Sequence, residues 1–322
     1  MIGFAIAVAA LIVERAASED ALCGRYETHT NWPYMINNNA WGLDDSGSIC
    51  TYVCDTCSDI AFYSLWNWAS EPPRVHAYPN VELKSDRLPL KLEQLASLYV
   101  SASWSFAPSS LPAGASQDPN TEQVASAITS NDVQANVVLD VFADADKNRS
   151  QTPSKQTYEL MVWVGVFGDS AWPIGMNAPR DPPVIVMLDD TEFTLYNGTN
   201  SRGQFVYSWV TNQTLTTFEL DVAPLFGYLW ENEGVPGDVY LGVVQFGTEA
   251  FYSKNQMNFS VSSYEAQIQR TIPDAAGTGE PTATLPVGTA ISGASMVLAS
   301  DSMFGWPSLI LAAFLAGGVL ML

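Results

Sequence analysis

The sequence predicts an all-β fold of the sandwich or jelly-roll kind, and three observations carry that prediction. Between Tyr26 and Arg270 the apolar residues come in short runs broken by Gly, Pro and Asn, at intervals that suit strands and turns. Several of these runs alternate apolar and polar residues, as a strand with one buried face requires. Aromatic residues make up 11% of the 322 residues (10 Trp, 13 Tyr and 14 Phe), while charged residues make up 15%, well below the usual quarter. Many rings and few charges suit sheets that carry an aromatic binding surface, on which flat sugar rings commonly stack.

Taken in order, the expected strands are Ala61–Trp68, Tyr99–Phe106, Asn136–Phe142, Tyr158–Phe167, Val184–Leu188, Gln204–Val210, Tyr240–Phe246 and Gln256–Glu265. One helix is expected around Leu215–Trp230, where Leu220, Ala223, Phe226, Gly227 and Trp230 fall near one face. Lys84–Leu98 has room for a turn or two of helix, limited by Pro89. Ser109–Ala127 reads as a polar, Pro-containing loop, and no internal repeat is visible. One domain covers residues 19–270.

Both ends look like targeting segments. Ile2 to Val13 is an apolar run of about a dozen residues, too short to span a bilayer comfortably but suited to a signal-peptide core. Ala16, Ala17 and Ser18 follow, so residues 1–18 are expected to be a signal peptide, although Arg15 follows the run and no basic residue precedes it. Residues 271–300 are rich in Thr, Pro, Gly, Ala and Ser and read as a linker. The tail, 301–322, ends in the apolar run Leu309–Leu322, with the small triplet Ser292-Gly293-Ala294 upstream. Small site, spacer and terminal apolar tail form the GPI-attachment pattern. It is preferred to a transmembrane helix because the run is short and no cationic stop follows it. Four N-x-S/T sequons, at Asn148, Asn197, Asn212 and Asn258, agree with secretion and a place at the cell surface.

The charge balance, 13 basic against 34 acidic residues for a net −21, excludes phosphate backbones as natural partners and disfavours anionic membrane surfaces. Contact with the membrane is expected through the C-terminal anchor only. The four cysteines, Cys23, Cys50, Cys54 and Cys57, read as disulfides in an oxidising compartment. Of three connectivities, the expected one joins Cys23 to Cys50, tying the N-terminal strand to the body, and Cys54 to Cys57. The C-x3-C-x2-C spacing from Cys50 to Cys57 also matches an iron–sulfur triad, but those proteins are intracellular and alternate strands with helices, unlike this chain. His29 and His76 show no zinc-ligand spacing. No metal and no cofactor is expected.

The chemistry lies in three strands. In Tyr158-Glu159-Leu160-Met161-Val162-Trp163-Val164, alternation puts Tyr158, Leu160, Val162 and Val164 on one face and Glu159, Met161 and Trp163 on the other. Glutamate is disfavoured in strands and costly to desolvate, so Glu159 is on a solvated face or in a site. In Val243 to Phe251, Gln245, Gly247 and Glu249 share a face. Hydrolysis of a glycosidic bond needs two carboxyls, one to attack or activate water and one to protonate the leaving oxygen. A third acid, Asp140, stands opposite Leu139 and Val141 in its strand. Brought beside Glu159 it would help separate their proton affinities. The bland reading of each acid is a solvated strand face or strand end.

These segments together resemble glycoside hydrolase family 12, over about residues 23–270. Tyr158-Glu159-Leu160-Met161-Val162-Trp163 resembles the segment with the family's nucleophile, Phe246-Gly247-Thr248-Glu249-Ala250-Phe251 the segment with its acid/base, and Asn136 to Phe142 the strand with a helper Asp, here Asp140. Asn38-Asn39-Ala40-Trp41-Gly42 is similar to the strand with a substrate-stacking Trp, Trp66-Asn67-Trp68 to the paired-Trp strand, and Pro173-Ile174-Gly175 to a cleft-side loop. Cys23–Cys50 also fits the family's N-terminal disulfide, whereas Cys54, Cys57, the Ser109–Ala127 loop and the tail depart from it. The resemblance implies a β-jelly roll of two stacked antiparallel sheets with one short helix. It implies a monomeric endo-β-1,4-glucanase acting on cellulose-type glucan, mixed-linkage glucan or xyloglucan by retention, with the carboxyls about 5–5.5 Å apart. Trp41, Met161, Trp163, Trp172 and Gln245 are the expected substrate contacts. A non-catalytic surface carbohydrate binder and a wall-remodelling transglycosylase remain as rival readings.

Overall fold

The structure is a computed structural model that describes residues 21–271, apart from 113 and 153. The expected signal peptide, the linker from residue 272 and the tail lie outside the described residues. In chain order the elements are β1 (Thr28–Asn31), β2 (Tyr34–Asn37), β3 (Gly47–Val53), β4 (Phe62–Trp68), β5 (Asn80–Leu83), β6 (Leu90–Lys91), β7 (Leu95–Pro108), α1 (Glu122–Ser130), β8 (Gln134–Asp144), β9 (Tyr158–Phe167), β10 (Ile185–Leu188), β11 (Thr191–Thr199), β12 (Phe205–Thr211), β13 (Thr217–Asp221), α2 (Ala223–Asn232), β14 (Tyr240–Gly247), β15 (Ala250–Tyr252) and β16 (Met257–Arg270).

The strands form two sheets. The larger runs β1-β2-β5-β14-β8-β9-β12-β11-β10, with β15 added to β8 and β6 to β14; the smaller runs β13-β7-β16-β4-β3. Pairing is antiparallel except between β9 and β12, which run parallel. A parallel neighbour needs a crossover, and the chain between them supplies it by passing through β10 and β11 at the sheet edge.

The two sheets pack around one large apolar core. β4 sends Phe62, Trp66 and Trp68 inward, β7 sends Val100, Trp104 and Phe106, and β9 sends Leu160, Val162 and Val164. Phe106 stacks on Phe167 at 4.7 Å between ring centroids, which ties β7 to the end of β9. Helix α2 docks through Leu225, Phe226 and Leu229, and Trp209 donates an indole hydrogen bond to the Leu225 carbonyl at 3.1 Å. The polar handle of a buried Trp is thus used to fix the helix on the sheet.

Two local expectations change. The helix expected over Leu215–Trp230 is a strand, β13, followed by α2. Thr217-Phe218-Glu219-Leu220-Asp221 alternates exposed and buried residues and pairs with β7, so tertiary pairing overrides the helical period there. Asp221 then accepts the backbone N–H of Ala223 at 3.0 Å at the helix start. A second helix, α1, lies at the end of the supposed Ser109–Ala127 loop. Val124 and Ile128, one turn apart, bury its inner face. Lys84–Leu98 holds a single 3-10 turn, Leu92–Gln94, between β6 and β7.

The structure joins Cys23 to Cys50 and Cys54 to Cys57. The first ties the segment before β1 to β3, beside the Leu22–Thr51 bridge; the second closes the turn between β3 and β4.

Candidate active site

The outer face of the larger sheet carries a second, smaller apolar cluster: Tyr78, Val138, Met161, Trp163, Val206 and Val210. It arises from the residues of β8, β9 and β12 that alternate away from the core. Register pairs Asp140 with Met161 and Gln245 with Asp140, and places Ser208 beside Met161, so one row across the sheet reads Glu82, Gln245, Asp140, Met161, Ser208. The neighbouring row reads Val243, Phe142, Glu159, Val206. Acids expected from alternation alone therefore share one face, over an apolar floor.

Glu249 lies between β14 and β15, where the strand breaks its ladder. Gly247 precedes it because the Pro79 carbonyl approaches so closely that a Cβ there would stand 2.1 Å from it. Asn136, fully buried in β8, holds Glu249 twice: its Oδ1 accepts the Glu249 backbone N–H at 3.1 Å, and its Nδ2 donates to the carboxyl Oε2. Thr248 donates its hydroxyl to the Asn136 carbonyl, so the pair is locked from the next residue as well. Burial, and then the charge of Glu159, push the Glu249 carboxyl up to about 7, against the Asn136 hydrogen bond and the Arg202 charge.

Glu159 is half-buried on β9. Asn200, in the turn between β11 and β12, donates Nδ2 to its Oε2 at 3.0 Å. Burial raises its proton affinity; that hydrogen bond and the Arg202 cation pull it back. Asp140 is 4% exposed, and among the described residues its Oδ1 has no hydrogen-bond partner. Burial, then Glu159, then Glu249, hold it well above the ordinary carboxylate range. The three acids are thus unequal. The Glu159 charge raises both neighbours, whereas Glu159 is raised by burial and relieved by a donor and a cation. Tyr78 closes the floor, sharing its hydroxyl between the Val138 carbonyl (3.2 Å) and the Gln245 carbonyl (3.3 Å). Among the described residues no cluster of three His, Cys, Asp or Glu side chains is arranged to hold a metal ion.

The other expected contacts divide by depth. Met161 (4% exposed) and Trp163 (3%) are in the floor, while Trp41 (38%) and Trp172 (41%) stand at the surface. Gln245 is half-buried and donates to Glu82 at 2.9 Å. Trp172 belongs to a loop that packs on β11: Gly175, at φ +95°, brings its backbone against the Asn197 carbonyl. Of the sequons, Asn148 and Asn212 are exposed. Asn197 is half-buried with Oδ1 accepting from Arg180 at 2.9 Å, and Asn258 is half-buried on β16 inside the smaller sheet. Sequence reasoning missed Asn136, Asn200, Arg202 and Tyr78. Asn136 carried a signal, a polar amide within an apolar strand; the others did not.

The family model for glycosyl hydrolase family 12 matches residues 120–269, which include Asp140, Glu159 and Glu249. The chain is 29% identical to the xyloglucan-specific endo-β-1,4-glucanase A of Emericella nidulans over 266 residues, 82% of this chain and 95% of the relative. It superposes on endoglucanase 3 of Trichoderma harzianum with a TM-score of 0.63 at 28% identity, covering 80% of this chain and all of that one. The chain matches glycoside hydrolase family 12 in sequence and in fold. It has the β-jelly roll expected of that family, with two helices rather than one among the described residues. It is also similar to the Cel12A catalytic domain of Humicola grisea, solved with a thio-cellotetraose (TM-score 0.62, 28% identity, 77% of this chain, 99% of that one). A Phytophthora nicotianae relative, 28% identical over 267 residues (82% of this chain, 97% of the relative), carries the name of an inactive glycoside hydrolase.

Proposed function

We propose that this protein is a retaining endo-β-1,4-glucanase. Glu159 is the nucleophile, Glu249 the acid/base and Asp140 the helper of Glu159. The observation that supports this is the inequality of the three acids: Glu159 has a donor and a cation that favour its charged form, while Glu249, pushed up to about 7, and Asp140 keep their protons beside it. Glu159 attacks the anomeric carbon as Glu249 passes its proton to the departing oxygen. Glu249, now a base, takes a proton from water, which releases the sugar from Glu159. Asp140, kept neutral by burial, donates a hydrogen bond toward Glu159 as the charge there is spent. Trp41 and Trp172 offer sugar rings a stacking face, over the floor of Met161, Trp163 and Gln245.

The polymer is a β-1,4-glucan, with xyloglucan first because the relatives from Emericella nidulans and Aspergillus flavus carry that name. Extracellular action agrees with two disulfides and with exposed sequons at Asn148 and Asn212; residues 1–18 as signal peptide and 301–322 as GPI signal complete that reading. The protein acts as a monomer. The inactive relative supports a second reading, a carbohydrate binder without turnover. Retention of both Glu159 and Glu249 favours the enzyme.

The test is release of reducing ends from xyloglucan, barley β-glucan and carboxymethyl-cellulose by the parent and Glu159→Gln. The parent cuts at least one polymer, and the variant loses on the order of 10⁴-fold or more. A parent that binds these polymers yet releases nothing above the variant is a binder.

A further inference from the structure

Arg202 stands at the tip of the turn joining β11 to β12, and that tip is firmly built. Asn200 Oδ1 accepts the backbone N–H groups of Arg202 (3.0 Å) and Gln204 (3.1 Å). Asn200 Nδ2 donates to Gln204 Oε1 (2.9 Å) and to Glu159 Oε2 (3.0 Å). Gln204 in turn donates to the Gln156 carbonyl at 3.0 Å. Gly203, at φ +82°, supplies the left-handed step that closes the turn. One asparagine therefore links the backbone of Arg202 to the carboxyl of Glu159.

From this anchor the guanidinium lies 4.8 Å from the ring centroid of Trp41. Trp41 follows β2, and β2 is five places from β12 in the sheet, about 24 Å if the sheet were flat at ~4.8 Å per step. The contact requires the sheet to curl and the two loops to lean together over the face that holds the carboxyls. Among the described residues Arg202 has no carboxylate at ion-pair distance. The titratable groups around Glu159 are Asp140 from β8, Glu249 from the turn before β15 and the Tyr78 phenol; the cation acting on Glu159 and on Glu249 is Arg202. On a chain of net charge −21, one arginine acts on both glutamates of the site.

We propose that Arg202 is a positioning residue of the hydrolytic site: with its backbone anchored through Asn200 and its guanidinium resting on Trp41, its positive charge keeps Glu159 ionised opposite Glu249 and sets the pH window of hydrolysis. An exposed cation–ring contact is weak and reversible. A sugar ring can take the Trp41 face while the backbone of Arg202 stays tethered beside Glu159. The direction of the effect follows from charge. Arg202 favours the ionised form of both glutamates, so its loss raises the pH at which each gives up its proton. Glu159 must be charged and Glu249 protonated, so both limbs of the activity bell move to higher pH together. A purely structural role would lower the bell without moving it.

The proposal rests on the roles given above to Glu159 and Glu249, and its test separates the two questions. The full chain, labelled with carboxyl-¹³C glutamate, is titrated by NMR as parent, Arg202→Ala and Arg202→Lys, and the pH profile of kcat/KM is recorded on the polymer the parent cuts. In Arg202→Ala the Glu159 and Glu249 titrations move to higher pH, and kcat/KM on the acid limb falls about fivefold, the upper end for an exposed charge pair. Arg202→Lys, which keeps the charge, returns titrations and profile toward the parent. Unmoved titrations in Arg202→Ala, or a lysine variant that behaves like alanine, overturn the proposal. Because the NMR titration needs no turnover, an inactive parent removes the hydrolase reading while Arg202 is still tested.

Discussion

Replacing Glu249 by Gln removes a titration that the folded protein resists. The carboxyl rises from the ordinary 4.5 to about 7 on folding. Its protonated form is the one the fold prefers, so its contribution to stability is complete below pH 4.5 and is lost as the pH rises through about 7. At 1.36 kcal/mol per pH unit the loss amounts to about 3 kcal/mol in the parent. Glutamine is neutral at every pH and can still accept the Asn136 hydrogen bond through its carbonyl. The variant should therefore match the parent near pH 4 and exceed it at pH 8 by about 3 kcal/mol, or about 6–12 °C in Tm for a domain of this size. The assay is calorimetric unfolding of both proteins from pH 4 to pH 9. A Tm difference that stays flat across that range would refute the argument, because it would mean that Glu249 titrates as a solvated side chain. On the reading of Glu249 as the acid, the same variant loses about 10²–10⁴-fold in activity on polymers.

Three other substitutions probe parts of the molecule separately. Trp41→Ala should raise KM on the preferred glucan about five- to tenfold with little change in kcat, since ring stacking contributes on the order of a kcal/mol to binding; an unchanged KM in steady-state kinetics would remove Trp41 from the groove. The double variant Cys23→Ser/Cys50→Ser opens a link between residues 27 apart and should cost about 3–4 kcal/mol in urea unfolding. Cys54→Ser/Cys57→Ser opens one spanning 3 and should cost about 2 kcal/mol or less; equal losses would contradict the loop-closure account.

The strands with clear alternation were legible in the sequence. β9 is the clearest case, because Leu160, Val162 and Val164 against Glu159, Met161 and Trp163 assigns both faces without reference to neighbours. Short strands such as β2 and β5 were harder: four residues give too few alternations to stand out, and they pair with each other across the whole of β3 and β4. β13 was read as helix because a strand with one buried face followed at once by a helix sums to an apparent helical period. The site divides in the same way. Glu159 and Asp140 sit in apolar strands and Glu249 just past the end of one, where an acid is conspicuous. Asn200 and Arg202 sit in a polar turn, where such residues are ordinary. Only folding brings that turn onto the carboxyls.

The smaller sheet has a further consequence, in the order of assembly. Its central strand is β16, the last one described, flanked by β7 on one side and by β4 and β3 on the other. A chain emerging from its N-terminus can form the β3–β4 hairpin early, but that hairpin has no neighbour until β16 arrives about 190 residues later. Contacts between such distant segments carry a large loop-closure cost and fold slowly. The smaller sheet therefore cannot close until β16 is available, and the apolar faces of β3 and β4 wait without their partner strand until then. Whatever environment receives this chain must shield those faces during that interval.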